Sequence, residues 1–269
     1  MSYINKENEE NSKRDHFEGL LNEISEQIKI PIKQILDLDL FFSDNQQGQI
    51  IGFNQEFISA ARIDNLFSCW AAVKAFQECK QDENQHSINL ICLFDHEECG
   101  SQSSKGAGSN LLNQTLQRIW KTLKQTNVQQ DSLEKAFANS FLVSADMAHS
   151  IHPNYADCHK QNHQVKLNEG IIIKTNHNQR YSTDSFTSSF VKQIANSGNI
   201  PYQEFIVKNG SPCGSTIGPI VSSNTGIKSV DLGTGSWGMH SIRETCGSLD
   251  SYYYFQFMKL FLEFNYDFK

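Results

Sequence analysis

Four short runs combine carboxylates and imidazoles where they could do chemistry together. Asp95-His96-Glu97-Glu98-Cys99-Gly100 closes the apolar run SINLICLF, and Asp146-Met147-Ala148-His149-Ser150-Ile151-His152 closes FLVSA. The glycine-rich GTGSWG leads into Met239-His240-Ser241, and Arg62-Ile63-Asp64-Asn65 stands where an extended stretch meets a helix. Carboxylates gathered at adjoining strand ends repel one another and raise each other's pKa unless cations neutralise them. Asp, Glu and His are the oxygen and nitrogen ligands that zinc accepts, and two ions about 3.5–4 Å apart sharing a carboxylate make a hydrolytic site. In the pair Glu97-Glu98 one carboxylate can hold metal while its neighbour stays free as a general base. Taken singly, a DHEE run also fits a solvated turn or a helix N-cap, and lone histidines such as His149 and His152 also fit packing or surface roles.

The elements that must position these runs follow from hydrophobic periodicity. Helical spacing predicts helices over 17–28, 65–79, 110–124, 185–195 and 249–264. The face Leu66, Cys69, Ala72, Val73 and Phe76 is the expected buried side of the second helix. Period-two alternation in ILDLDLFF predicts a half-buried strand over 35–42, with a further extended stretch over 50–58. The near-continuous apolar run 87–94 reads as a strand buried on both faces, and strands are also expected over 141–145, 170–174, 204–207 and 229–232. Strands alternating with helices predict an α/β fold, with helices on both faces of a mostly parallel sheet. In such sheets ligands bind beyond the carboxyl ends of the strands, where the four runs fall.

Composition narrows the function classes. The 269 residues carry 23 Lys and Arg against 30 Asp and Glu, a net charge of −7, with no long basic block, so nucleic acid is not an expected partner. No apolar run has the length of a membrane span and the first residues are not a signal peptide, so a soluble cytoplasmic protein is expected. Seven cysteines, an odd number with no CxxC pair, argue against a disulfide framework or a zinc knuckle. Residues 1–13 are polar and without periodicity and read as a disordered leader.

Five segments in order resemble the aspartyl aminopeptidases, a family of dizinc exopeptidases: ARIDNLFSC, LFDHEECGS with GAGSNLL after it, SADMAHSIHPNY, IKTNHNQRYST, and SPCGSTIGPI followed by GMHSIRE. The resemblance implies a zinc-exopeptidase-like fold and two Zn2+ ions bridged by Asp64. Glu98 and His240 would complete one site, Asp146 would belong to the other, and Glu97 would be the general base. It also implies that His149, Lys174 and Tyr181 contact substrate, with Lys174 pairing the acidic side chain of an N-terminal Asp or Glu. The family's catalytic domain opens upstream with strands carrying a His-x-Asp metal ligand, and no His-x-Asp occurs in these 269 residues. The resemblance is therefore to the family's C-terminal part, with 14–58 as the remnant of an inserted dimerisation domain and 59–269 as the catalytic domain. The second metal site keeps Asp64 and Asp146 only. Peptides with acidic N-termini are the implied substrates and a homo-oligomer the implied assembly. The alternative is a truncated, weak or inactive paralogue, or a gene-model fragment, with a structural or binding role.

Overall fold

A computed structural model describes residues 16–80, 87–124 and 133–265, so the expected leader 1–13 lies outside the described residues. The chain divides into two compact units, one ending at Ser43 and the other beginning at Asp44. In the first unit, α1 (Glu18–Ile28) stops at Lys29, whose left-handed backbone turns its N–H back to Ser25 O. The strand expected over 35–42 does not form, and Leu36, Phe41 and Phe42 are exposed. Alternation names the residues that would share a face, but a strand also needs a partner to receive its backbone bonds, and none pairs with it among the described residues.

The second unit runs β1 (Gln49–Ile51), β2 (Phe57–Ala60), α2 (Ile63–Glu78), α3 (Leu111–Lys124), α4 (Leu133–Ala138), β3 (Phe141–Ala145), β4 (Ala148–His149), β5 (Ile171–Thr175), α5 (Ser185–Ser197), β6 (Tyr202–Ile206), α6 (Ile217–Thr225), β7 (Lys228–Gly233), β8 (Gly235–Trp237), β9 (Glu244–Gly247) and α7 (Ser248–Glu263). A four-stranded sheet in the order β3-β7-β5-β6 is mostly parallel, with β5 and β7 antiparallel. Ile171 and Ile173 of β5 and Val230 and Leu232 of β7 meet α2, α5 and α7 in the main core. Because successive strand residues point to opposite faces, Leu142 lies on the other face, with Val221 and Ile217 of α6. Helices thus cover both faces, as expected. The second sheet, β1-β2-β9-β8-β4, has strands of two to four residues, too short for a periodic signal.

Two expectations are corrected. α2 buries Ser68, Ala71 and Ala75 rather than the larger apolar face, and Leu66, Val73 and Phe76 stay partly exposed. Small residues let α2 pack closely on α7, where Phe67 stacks on Tyr254 with ring centroids 6.4 Å apart. The run 87–94 joins no sheet among the described residues, and Ile88 and Leu93 are exposed.

The two sheets are continuous through β3 and β7. β3 runs through Asp146 and Met147 into β4, and β7 runs through Thr234 into β8, tied by Asp146 N to Leu232 O (3.1 Å) and Ala148 N to Thr234 O (2.9 Å). A Cβ on Gly233 would stand 1.9 Å from the Asp146 carbonyl oxygen, so the close approach needs glycine. Asp231 on β7, fully buried, accepts from Ser182 N (2.6 Å), Ser182 Oγ (2.7 Å) and Thr216 Oγ1 (2.5 Å). It ties the segment after β5 and the start of α6 to the sheet. Asp231→Ala leaves these donors without an acceptor and should cost about 3 kcal/mol or more, measured as a fall in the denaturant midpoint; a midpoint within error of the parent would show that Asp231 is not the tie.

Candidate metal centre

Asp64, Glu98 and His240 come from three separate segments to one point at the junction of the sheets. One ligand atom from each lies within 4.8 Å of the others. His240 Nε2 is 3.4 Å from both Asp64 Oδ2 and Glu98 Oε1. Asp64 follows β2, and its side chain is 8 % exposed, whereas those of Glu98 and His240 are open to solvent.

Backbone geometry aims each group. Asp64 and Asn65 depart from helical angles at the start of α2, and Arg62 before them is left-handed, so the chain turns sharply between strand and helix. His240 is also left-handed, with φ 69°. Glu244, buried on β9, accepts Asp64 N at 2.7 Å with one carboxylate oxygen and His240 N at 2.9 Å with the other. The loop bearing Glu97 and Glu98 is closed by Gly100 N to Glu97 O, Ser101 N to His96 O and Gly108 N to Ser101 O. Asn65 donates from Nδ2 to Ala145 O at 2.7 Å, tying α2 to the end of β3. Sequence reasoning missed Glu244 and Asn65, although both fall within the quoted segments; an acid or amide that serves the backbone has no spacing signature.

The electrostatics are those of an undercompensated acidic cluster. Burial, followed by the charge and hydrogen bond of Asp146 and by the charges of Glu98 and Glu244, pushes the Asp64 carboxyl up to about 8. Glu97 keeps solvent contact, yet partial burial and then the charges of Asp146 and Glu98 push it up to about 7, while Lys174 and His240 pull the other way. Two carboxylates and an imidazole converging on a point short of positive charge are a donor set that fits a zinc ion. Asp146 belongs to the cluster through Asp64 but is paired with Lys174 Nζ at 2.9 Å. Lys174, 1 % exposed, also donates to Met147 O at 3.1 Å and lies 5.2 Å above the Tyr181 ring centre. His149 and Tyr181 line a cavity whose wall includes Met239, next to His240; Lys174 is not in that wall. Burial, followed by the charge of Cys213 and a hydrogen bond to it, raises the Tyr181 hydroxyl well above its usual range, so it remains a neutral phenol.

Glu244→Gln replaces one acceptor with an amide that faces a backbone N–H. It should weaken zinc binding about 10–100-fold, the range for groups that orient metal ligands, measured by competition with a chromogenic chelator; unchanged affinity would remove Glu244 from that role.

The family model described as aminopeptidase I zinc metalloprotease (M18) matches residues 2–262. A probable aspartyl aminopeptidase of Ricinus communis is 44 % identical over 257 residues, which are 94 % of this chain and 52 % of that protein. The chain spans about half the length of the curated relatives it matches. Among solved structures, the chain from the complex of Ape4 and Nbr1 superposes with a TM-score of 0.83 at 38 % identity, over 96 % of this chain and 50 % of that one. The dodecamer of mApe1 from S. cerevisiae gives 0.78 at 28 % identity, over 92 % of this chain and 55 % of that one. With the family model covering nearly the whole chain and ligand-type residues converging in the fold, this chain belongs to the M18 aminopeptidase I zinc metalloproteases.

Proposed function

We propose that this chain carries the metal-binding and proton-transferring part of an M18 aminopeptidase site, which removes Asp or Glu from peptide N-termini. The observation that carries the reading is the convergence of Asp64, Glu98 and His240 beside Glu97. Residues 59–269 are read as the catalytic domain and 14–58 as the remnant of a dimerisation insert. The match to chains such as the mApe1 dodecamer supports a homo-oligomer.

Zinc held by Asp64, Glu98 and His240 would supply Lewis-acid polarisation of the scissile carbonyl and of water. Glu97 takes a proton from the water as its oxygen bonds to the carbonyl carbon, and returns that proton to the nitrogen as the C–N bond breaks. A carboxyl pushed up to about 7 suits both halves of that exchange near neutral pH. His149 and Tyr181 border the cavity that receives the substrate, and Tyr181 stays protonated as a donor. Lys174 provides the cation for an acidic side chain, exchanging Asp146 for the substrate's carboxylate. Asp146 belongs to a second zinc position that has fewer ligands from this chain than the first.

Three outcomes test the reading. The dialysed chain should retain about one zinc by elemental analysis, since one position has three protein ligands and the other two; none, or two, would overturn that count. Residues 1–269 alone should release little or no N-terminal residue from an Asp-peptide. Joined to an upstream His-x-Asp segment of a family member, they should become active, and Glu97→Gln should then lower the rate about 10²–10⁴-fold with zinc retained. Full rate in the Gln variant would end the general-base assignment. In the active form Lys174→Met should weaken cleavage of Asp-initiated peptides by about 1.5–3 kcal/mol and leave an Ala-initiated peptide nearly unaffected; equal losses would remove Lys174 from the specificity role.

A further inference from the structure

The cavity bordered by His149 and Tyr181 carries a basic end. It has about 1360 Å³ of atom-free space, part of it open to solvent, on the scale that takes a drug-sized ligand rather than one side chain. Its wall includes Gly238 and Met239, which immediately precede His240, and also His159 and Lys208. His159 and Lys208 are shared with a second, more open depression, whose lining adds Lys160, Gln161 and Asn209. Among the described residues no Asp or Glu lines the cavity, and Lys208 is the one Lys or Arg that does. Burial holds the His149 and His159 imidazoles below their usual range, so both are neutral near pH 7. Lys208 Nζ donates to Asp157 O at 2.7 Å, and His159 forms an antiparallel bridge with Val207, so the segments that make the shared wall are pinned together. That bond uses one of the three donors of the ammonium. Asp157, the one acid lining the depression, thus meets Lys208 through its carbonyl oxygen, and neither Lys208 nor Lys160 is paired with a carboxylate among the described residues.

We propose that Lys208 and Lys160 form a binding site for a carboxylate carried downstream of the scissile bond, so that the favoured substrates are peptides with an acidic first residue and a second carboxylate at the third to fifth residue. The inference rests on the reading that this cavity receives the substrate. In that reading the first side chain pairs with Lys174, which lies outside the wall, so the rest of the peptide runs along the cavity. A cavity on this scale holds the second residue before the basic end, and its wall offers that residue no charge. A carboxylate further on meets the free donors of Lys208, with Lys160 beside it in the depression. The same chemistry serves an acidic side chain and the C-terminal carboxylate of a short peptide. An ammonium fixed by one bond to the backbone keeps its position at little cost in side-chain freedom when the anion arrives.

The test is calorimetric titration of the zinc-loaded chain with the amidated peptide Asp-Ala-Ala-Ala-Ala, in which Glu or Lys replaces each Ala in turn. At one or more of positions three to five Glu should bind about 5–10-fold tighter than Lys at low salt, and the ratio should shrink as salt is raised. At position two the pair should agree within about twofold. Lys208→Met combined with Lys160→Met should bring the ratio to about one, whereas Lys208→Arg should keep it. Comparing Asp-Ala-Ala-Ala as free acid and as amide shows whether a chain end makes the same contact; a tighter acid supports the site. Should the chain bind none of the peptides measurably, the same pairs are compared by kcat/KM in the form joined to the upstream His-x-Asp segment, and the same ratios decide. Glu and Lys equal at positions three to five with acid and amide also equal, a preference confined to position two, or a preference that survives the double Met variant would each overturn the proposal. Failure of the metal-centre reading looks different: affinities would ignore zinc and the first Asp while the Glu-to-Lys ratio persisted, which would keep the basic site and overturn only that reading.

Discussion

The rest of the structure depends on negative charge concentrated where the two sheets join. Asp64, Asp146, Glu97 and Glu98 converge there, and Asp64 is nearly out of solvent, so its carboxyl is pushed up to about 8. A solvated surface would disperse such charges; here the backbone at the strand ends holds them together. Among the described side chains, Lys174 pairs with Asp146 and His240 lies 3.4 Å from two of the carboxylates. This leaves the Asp64 end of the cluster short of positive charge, and a divalent cation bound where the three side chains converge would remove the deficit.

Holding the cluster is the work of residues that do not belong to it. Glu244 binds the backbone of Asp64 and of His240 with its two oxygens, so one buried carboxylate fixes the spacing of two candidate ligands from opposite ends of the sequence. Gly233 allows β7 to pass close to the carbonyl of Asp146, and Asp231 anchors the segment that carries Tyr181. The main core, with Ile171 and Ile173 against α5 and α7, supplies the rigid platform. Such tight packing is what lets groups on separate segments keep ligand-like distances.

Much of this was legible in the sequence, for identifiable reasons. Strand 141–145 is apolar enough to be buried from either side, and the run Asp146–His152 that follows it sits at a strand end by the general rule for α/β sheets. What escaped the reading depends on partners rather than on pattern. ILDLDLFF has a strand's alternation but no strand pairs with it among the described residues, and 87–94 has a central strand's composition but joins no sheet among them. The buried face of α2 was misread because Ser68, Ala71 and Ala75 are chosen by close approach to α7, which hydrophobicity does not encode. Glu244 gave no signal because its role is to accept two backbone N–H groups, and the burial of Lys174 against Asp146 likewise has no spacing signature.

The central claim is that Asp64, Glu98 and His240 together bind a metal ion. The most direct measurement is zinc K-edge X-ray absorption on the full chain loaded with one equivalent of zinc. The account predicts a first shell of oxygen and nitrogen scatterers only, at about 2.0–2.2 Å, including one imidazole, with that imidazole signal lost in His240→Ala. A shell containing sulfur at about 2.3 Å would place the zinc on some of the seven cysteines instead, and would contradict the assignment.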